Sequence, residues 1–356
     1  MVVDEPSSQS KPAHLDWIDL VRVVAVFQVV LVHLSYVIFF KEEVTSANWR
    51  AANFYDSFSR MGVPLFFMVS GYLLLGKSEP AVVFFRKRFF KVGIPTLFWS
   101  IAYLLWSVDA YTNGTMKPLN VALSIGKAIY TGNVEIHLWF LYILIGIYLV
   151  VPILRVYFSV TSRRNVAYFV ALWFLATPLF EVAQRLTGLQ SALVIPVVSG
   201  YVGYFVMGYL LAEVKVGKRG ILLSAFGGVA AIVVTYLGTE VLSRNSAPID
   251  AYFYSYFSPP TVLASICGFF LLKNLGQNLG RAGTLIRTVS GATFGIYLIH
   301  IFAAELLRKG FLGFSLFSWQ AASVYMIPLT ALGVYALSFL AVFGLQRIPF
   351  LKILVP

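Results

Sequence analysis

Charged side chains are scarce in this chain of 356 residues: 12% are Asp, Glu, Lys or Arg, and only 15 are acidic. With 59% hydrophobic residues and a mean hydropathy of +0.81, there are too few charges to cover a water-facing surface. A soluble globular fold is excluded, and a bilayer removes the need for that polar surface. Cysteine is nearly absent as well. Cys267 has no partner in the chain, which excludes an internal disulfide and a thiolate metal cluster and leaves the redox compartment unread. Anions are outnumbered by 27 cations, yet these are divided among short loops and form no basic domain, so the charge of +12 reports topology and not a nucleic-acid partner.

What is abundant is long apolar sequence. A membrane span needs about 20 predominantly apolar residues, and ten such runs are present. They cover Asp16 to Phe40, Phe58 to Gly76, Phe89 to Val108, Ile136 to Val156, Val166 to Ala183, Val194 to Ala212, Gly220 to Leu242, Ser258 to Leu272, Thr288 to Leu307 and Gln320 to Gln346. The eighth run is short and opens on Pro259 and Pro260. No strand-like alternation competes with them. The expected fold is an all-α polytopic bundle of about ten transmembrane helices.

Lys and Arg are retained on the cytoplasmic side. An inside N-terminus puts 17 of the 27 cations on the inner side and nine on the outer, with Arg22 within the first span. Both termini are therefore expected in the cytosol. Residues 1–15 are polar, carry Pro6 and Pro12, lack a signal-peptide core and are expected to be a disordered cytosolic tail. Residues 16–346 form the membrane domain and 347–356 a cytosolic C-terminal tail. The longest loop, about Asp109 to Glu135, is expected outside and includes the glycosylation-like Asn113-Gly114-Thr115.

Ionisable groups inside a span are costly and need a reason. The first span carries Asp19-Leu20-Val21-Arg22 and, ten residues after the arginine, His33. At 100° per residue the eleven steps from Arg22 to His33 make three turns plus about 20°, and Asp19 lies within about 60° of Arg22. All three fall on one stripe, with Arg22 and His33 about 16 Å apart along the axis. Neutral imidazole has a pKa suited to taking a proton near pH 7, which makes His33 the candidate catalytic base. Arg22 is suited to a phosphate through paired charge-assisted hydrogen bonds, and Asp19 to orienting it.

These residues resemble the membrane-bound acyltransferase 3 family. The resemblance rests on Asp19-x-x-Arg22 with His33, on the Val63-Pro64-Leu65-Phe66-Phe67-Met68-Val69-Ser70-Gly71-Tyr72 run, on His137-Leu138-Trp139-Phe140-Leu141-Tyr142, and on Gly295-Ile296-Tyr297-Leu298-Ile299-His300. It spans all ten runs in order. With Arg60 ahead of the Val-Pro-Leu-Phe-Phe run, the chain is particularly similar to the enterobacterial common antigen O-acetyltransferase branch. One departure is Val23-Val24, where relatives often have Gly-Ile. The resemblance implies an enzyme that moves an acyl group, here expected to be acetyl, from cytosolic acyl-CoA to a hydroxyl of a glycan or lipid-linked sugar at the outer face. It implies acyl-CoA as co-substrate and no permanently bound cofactor or metal. The setting would be a multi-pass protein of the bacterial inner or plasma membrane, with membrane lipids around it.

Other residues have two readings each. His137 and His300 suit contact with the acceptor or a structural hydrogen bond, and Arg60 suits a sugar-phosphate or the membrane interface. Ser70 fits an oxyanion donor or close helix packing beside Gly71. Trp139 fits a sugar platform or the aromatic belt. The Arg86-Lys87-Arg88 and Lys91 cluster suits CoA phosphates, topology or anionic lipid. Gly71-Tyr72-Leu73-Leu74-Leu75-Gly76-Lys77-Ser78 matches the Walker A pattern, but it lies at the apolar end of a span without the strand that a phosphate loop requires. Gly291 to Gly295 reads as a small-residue packing motif. A membrane transporter or exporter of a glycan or small molecule is the alternative function, since ten spans with buried charge suit that as well.

Overall fold

The computed structural model describes residues 15–107, 118–189, 192, 195, 198–244, 246, 249–311, 313–318 and 321–356. The expected N-terminal tail, apart from Leu15, and the Asn113 sequon lie outside the described residues. Among the described residues the structure is helical and contains no strand. In hydrocarbon this is the physical solution for such a chain, because a helix satisfies its backbone hydrogen bonds within one segment.

The helices are α1 (Asp16–Phe39), α2 (Ala47–Ser59), α3 (Gly62–Leu75), α4 (Ala81–Arg88), α5 (Ile94–Trp106), α6 (Pro118–Thr131), α7 (Trp139–Val160), α8 (Arg163–Phe174), α9 (Phe180–Thr187), α10 (Val202–Ala212), α11 (Lys218–Ser243), α12 (Pro259–Leu275), α13 (Ala282–Ser290), α14 (Thr293–Lys309) and α15 (Ser323–Leu345). Each of the ten apolar runs contains helix among the described residues, but not each is one straight rod. Eight described helical segments are long and apolar enough to cross a membrane. A ninth is the pair α13 and α14, bent by 68°. The sixth run yields only the short α10. Pro259 and Pro260 occupy the first turn of α12, where their missing N–H groups cost no intrahelical bond. The expected outer loop contains α6, so the stretch from Asp109 to Glu135 is not loop throughout.

α1 is the hub of the bundle, touching α2, α3, α12, α13, α14 and α15. The closest seam elsewhere joins α3 to α10. A Cβ added to Gly71 would run into the backbone carbonyl of Phe205, and one on Gly208 into the backbone of Met68. Small residues permit this approach of two backbones. Because the obstacle at Gly71 is backbone, no side chain can yield. Gly71→Ala is expected to cost about 1–3 kcal/mol, as overpacking does. Gly146→Ala on α7, where a Cβ meets nothing within 4 Å, is the neutral control. Thermal unfolding of both variants in detergent tests this; equal stabilities would contradict the close seam.

Beyond α15 the chain folds back onto the bundle. Val355 is fully buried, Trp99 Nε1 donates to the Leu354 carbonyl at 2.9 Å, and Gln346 Nε2 donates to the Val355 carbonyl at 2.9 Å. The segment expected as a C-terminal tail is thus docked against α5 and α14.

Candidate active site

Two cavities lie along α1, one at each end of its polar stripe. The first, about 350 Å³, is lined by Arg22 together with Arg88, Lys91, Ser70 and Tyr148. Asp19, one turn before Arg22, is buried and accepts a hydrogen bond from Ser290 Oγ at 2.6 Å. The bend between α13 and α14 follows Ser290 directly, so the break in that span brings its polar end onto α1. Asp19 also interacts electrostatically with Arg22. Arg88 and Lys91 come from α4 and the π-helical turn Phe89–Gly93 that joins it to α5. Part of the basic cluster that topology alone could explain therefore faces the same space as Arg22.

The second cavity, about 330 Å³, is lined by His33, His137, Arg60, Trp139, Tyr256 and Tyr297, among others. His33 of α1, His300 of α14 and His137 of the turn that leads into α7 converge. Their ring centroids are 5.0 Å apart for His33 and His300, 4.8 Å for His137 and His300, and 6.1 Å for His33 and His137. Among the described residues they form no arrangement suited to a metal ion.

The backbone fixes the tautomers. His33 Nδ1 lies 2.7 Å from the Val29 carbonyl, and His300 Nδ1 lies 2.7 Å from that of Tyr297. A carbonyl only accepts, so each Nδ1 carries hydrogen and each neutral ring keeps its lone pair on Nε2. His300 Nε2 and both nitrogens of His137 are buried without a hydrogen-bond partner among the described residues. The Leu298 carbonyl beside His137 already accepts from Tyr103 at 2.8 Å. Tyr297 Oη donates to the His137 carbonyl, fixing α14 to the start of α7. Buried polar groups left unpaired are costly, and a hydroxyl-bearing ligand can pair them.

Arg60 stands beside the histidines. It lines the histidine cavity, donates from Nε to Asp56 and from Nη1 to the Tyr254 carbonyl at 3.3 Å, and its guanidinium lies 4.3 Å from the Tyr254 ring centroid. Asp56 is fully buried, and its i, i+4 spacing to Arg60 is the usual sign of a helical ion pair. Trp139 stands in the same wall, with ring centroids 5.5 Å from Tyr201 and 5.6 Å from Tyr256. Tyr297 belongs to the 295–300 motif, whereas Tyr201 and Tyr256 have no sequence signal beyond the general abundance of aromatics.

Ser70 is brought to Arg22 and not to the histidines. The reason is register: Val63 of α3 lines the histidine cavity, and Ser70 lies two turns or about 10 Å further along the helix. Ser70 therefore stands on the Arg22 side of the site. Phe140 and Tyr297 line both cavities, so the two spaces adjoin across these rings.

The bundle and its paired cavities define a multi-pass membrane enzyme with a cationic chamber at one end of α1 and a histidine chamber at the other. The chain belongs to the acyltransferase 3 family, whose acyltransferase domain matches residues 15–346. It is accordingly a membrane acyltransferase, which favours catalysis over the transport alternative. No curated protein sequence and no solved structure matches the chain.

Proposed function

We propose that the enzyme is an O-acetyltransferase that takes its acyl group from cytosolic acyl-CoA and places it on a hydroxyl of a glycan or lipid-linked sugar at the outer face. The observation that carries the reading is the pair of adjoining cavities. One gathers Arg22, Arg88 and Lys91, a donor set for the phosphates of CoA. The other gathers His33, His137 and aromatic rings that suit a sugar.

In this reading Arg22 holds the donor and Asp19 orients Arg22. The thioester reaches past Phe140 and Tyr297 towards His33. His33 Nε2 takes the proton of the acceptor hydroxyl as its oxygen attacks the thioester carbonyl; the carbon–sulfur bond then breaks and the thiol leaves with that proton. Direct transfer needs one base and no covalent acyl-histidine. His137 and His300 hold acceptor hydroxyls, while Arg60 and Trp139 shape the sugar subsite. The motifs shared with the enterobacterial common antigen O-acetyltransferase branch support acetyl as the group and a surface glycan of a bacterial inner or plasma membrane as the target.

The test is release of free thiol from acetyl-CoA by purified protein supplied with lipid-linked glycan extract, followed by mass spectrometry of the product. An acetyl mass lost on mild alkaline treatment is the expected result, since esters hydrolyse there and amides persist. An alkali-stable product would overturn O-transfer, and absence of thiol release would overturn acyl-CoA as donor.

A further inference from the structure

We propose that a third cavity, between Arg155, Lys77 and the start of α4, receives the 3′-phosphate of the CoA donor. This rests on the acyl-CoA reading above. The cavity measures about 440 Å³ and follows the end of α3, where Gly76, Lys77, Ser78 and Glu79 lead into Ala81. Gly76, Lys77 and Ser78 are the last residues of the Walker-like sequence. Gly71–Leu75 are helical, so there is no phosphate loop here; the anion chemistry comes from other groups.

Arg155 of α7 is the central one. It is 8% exposed, and its guanidinium is fixed on two sides: Nε donates to the Leu74 carbonyl at 2.6 Å and Nη2 to Glu79 Oε1 at 3.1 Å. Nη1 is buried with no hydrogen-bond partner among the described residues. Arg155 lines the cavity and brings a fixed positive charge to its wall, which favours an anionic oxygen there. Glu79 cannot neutralise the site, because Lys87 Nζ holds its other oxygen at 2.6 Å. The hydrogen bond from Lys87, and then that from Arg155, hold the Glu79 carboxyl below the usual carboxylate range, so it is ionised and already shared by two cations. Lys77 adds a further positive charge to the lining.

A second, independent feature points the same way. Ala81 opens α4, and the Pro80 cap offers no side-chain hydrogen bond to the first turn. The positive end of the helix thus lies at the wall of this cavity.

The cavity lies one buried ring away from the donor chamber. The Phe84 ring lies 4.6 Å from the Arg155 guanidinium and 5.2 Å from that of Arg88, and Arg88 lines the Arg22 cavity. Trp17 contacts Tyr72 at 5.3 Å, which puts the end of α3 level with the Arg22 end of α1. From Ala81 to Arg88 is about 10 Å along the helix, a spacing that the ribose between the diphosphate and the 3′-phosphate of CoA can bridge. Arg22 and Arg88 then take the diphosphate, and Arg155 and Lys77 the monoester. A phospholipid headgroup offers the same phosphate chemistry, and the experiment separates the two.

Affinities for CoA and for 3′-dephospho-CoA are measured by calorimetry on the full chain in non-ionic detergent. The wild type is expected to prefer CoA by about ten- to a hundredfold, the worth of a charge-assisted phosphate contact. Lys77→Gln and Arg155→Gln should each shrink that preference while leaving the affinity for dephospho-CoA near wild type. Lys77 is exposed, so its variant reads the site even if Arg155→Gln disturbs folding. Equal wild-type affinity for both ligands, or a preference untouched in the Lys77 variant, overturns the proposal alone. A wild type that binds neither ligand overturns the acyl-CoA reading, and the pocket's ligand with it. Loss of co-purifying phospholipid in Lys77→Gln, with the CoA preference unchanged, assigns the cavity to a headgroup and also overturns the proposal.

Discussion

Replacement of His33 by alanine is expected to lower the turnover of acyl transfer by about 10²–10⁴-fold, the range that a positioned general base supplies. Donor binding should remain near the wild-type value, because His33 and Arg22 line different cavities. The Val29 carbonyl holds the Nδ1 hydrogen and so presents Nε2 as the basic atom. His33→Gln keeps a polar side chain of similar reach but no basic nitrogen, so it should be as inactive as the alanine variant. His137→Ala and His300→Ala should act differently. They remove hydrogen-bonding partners of the acceptor and not the base, so their main effect should be a raised KM for acceptor with much of the turnover retained. Thiol-release kinetics across all four variants decide this. If His300→Ala is as dead as His33→Ala while His33→Gln retains turnover, the base has been assigned to the wrong ring.

The sequence made part of this site legible. The eight or nine membrane-length helices follow from apolar run length, and the Asp19, Arg22 and His33 stripe follows from the cost of placing charge in such a run. One helix carries all three residues, so α-helical geometry alone relates them. His137 and His300 were visible as motif residues, but their convergence on His33 depends on how α14 and the start of α7 meet α1. No local pattern encodes that packing. The side on which Ser70 falls was illegible for the same reason, since it depends on the register of α3 against α1. The Asp56–Arg60 pair is a different case: its i, i+4 spacing is visible in the sequence, but its burial depends on the packing of α2. α6 lay in a stretch whose length and moderate polarity resemble loop, and only the fold reveals it as helix. Arg155 read as a topological cation at the end of a span, whereas its guanidinium is buried against the end of α3.

Arg22→Ala is expected to weaken binding of acyl-CoA by about ten- to a hundredfold, since a lost charge-assisted phosphate contact costs about 1.5–3 kcal/mol. The loss should stay within this range because Arg88 and Lys91 line the same chamber and retain positive charge there. Removing Arg88 together with Arg22 should then cost more than either change alone, and the affinity that remains should depend less on salt. Arg22→Lys keeps the charge but not the planar fork, so it should recover only part of the affinity. In kinetics the alanine variant should raise the KM for acyl-CoA far more than it lowers turnover at saturating donor, the reverse of His33→Ala. Asp19→Asn should produce a weaker version of the Arg22 effect: the amide can still accept from Ser290, but it no longer supplies the negative charge that acts on Arg22. Calorimetry with CoA and steady-state kinetics on the same protein preparations make the comparison. Normal CoA affinity in Arg22→Ala, or an equal loss of CoA affinity in His33→Ala, would remove the division of the enzyme into a donor chamber and an acceptor chamber.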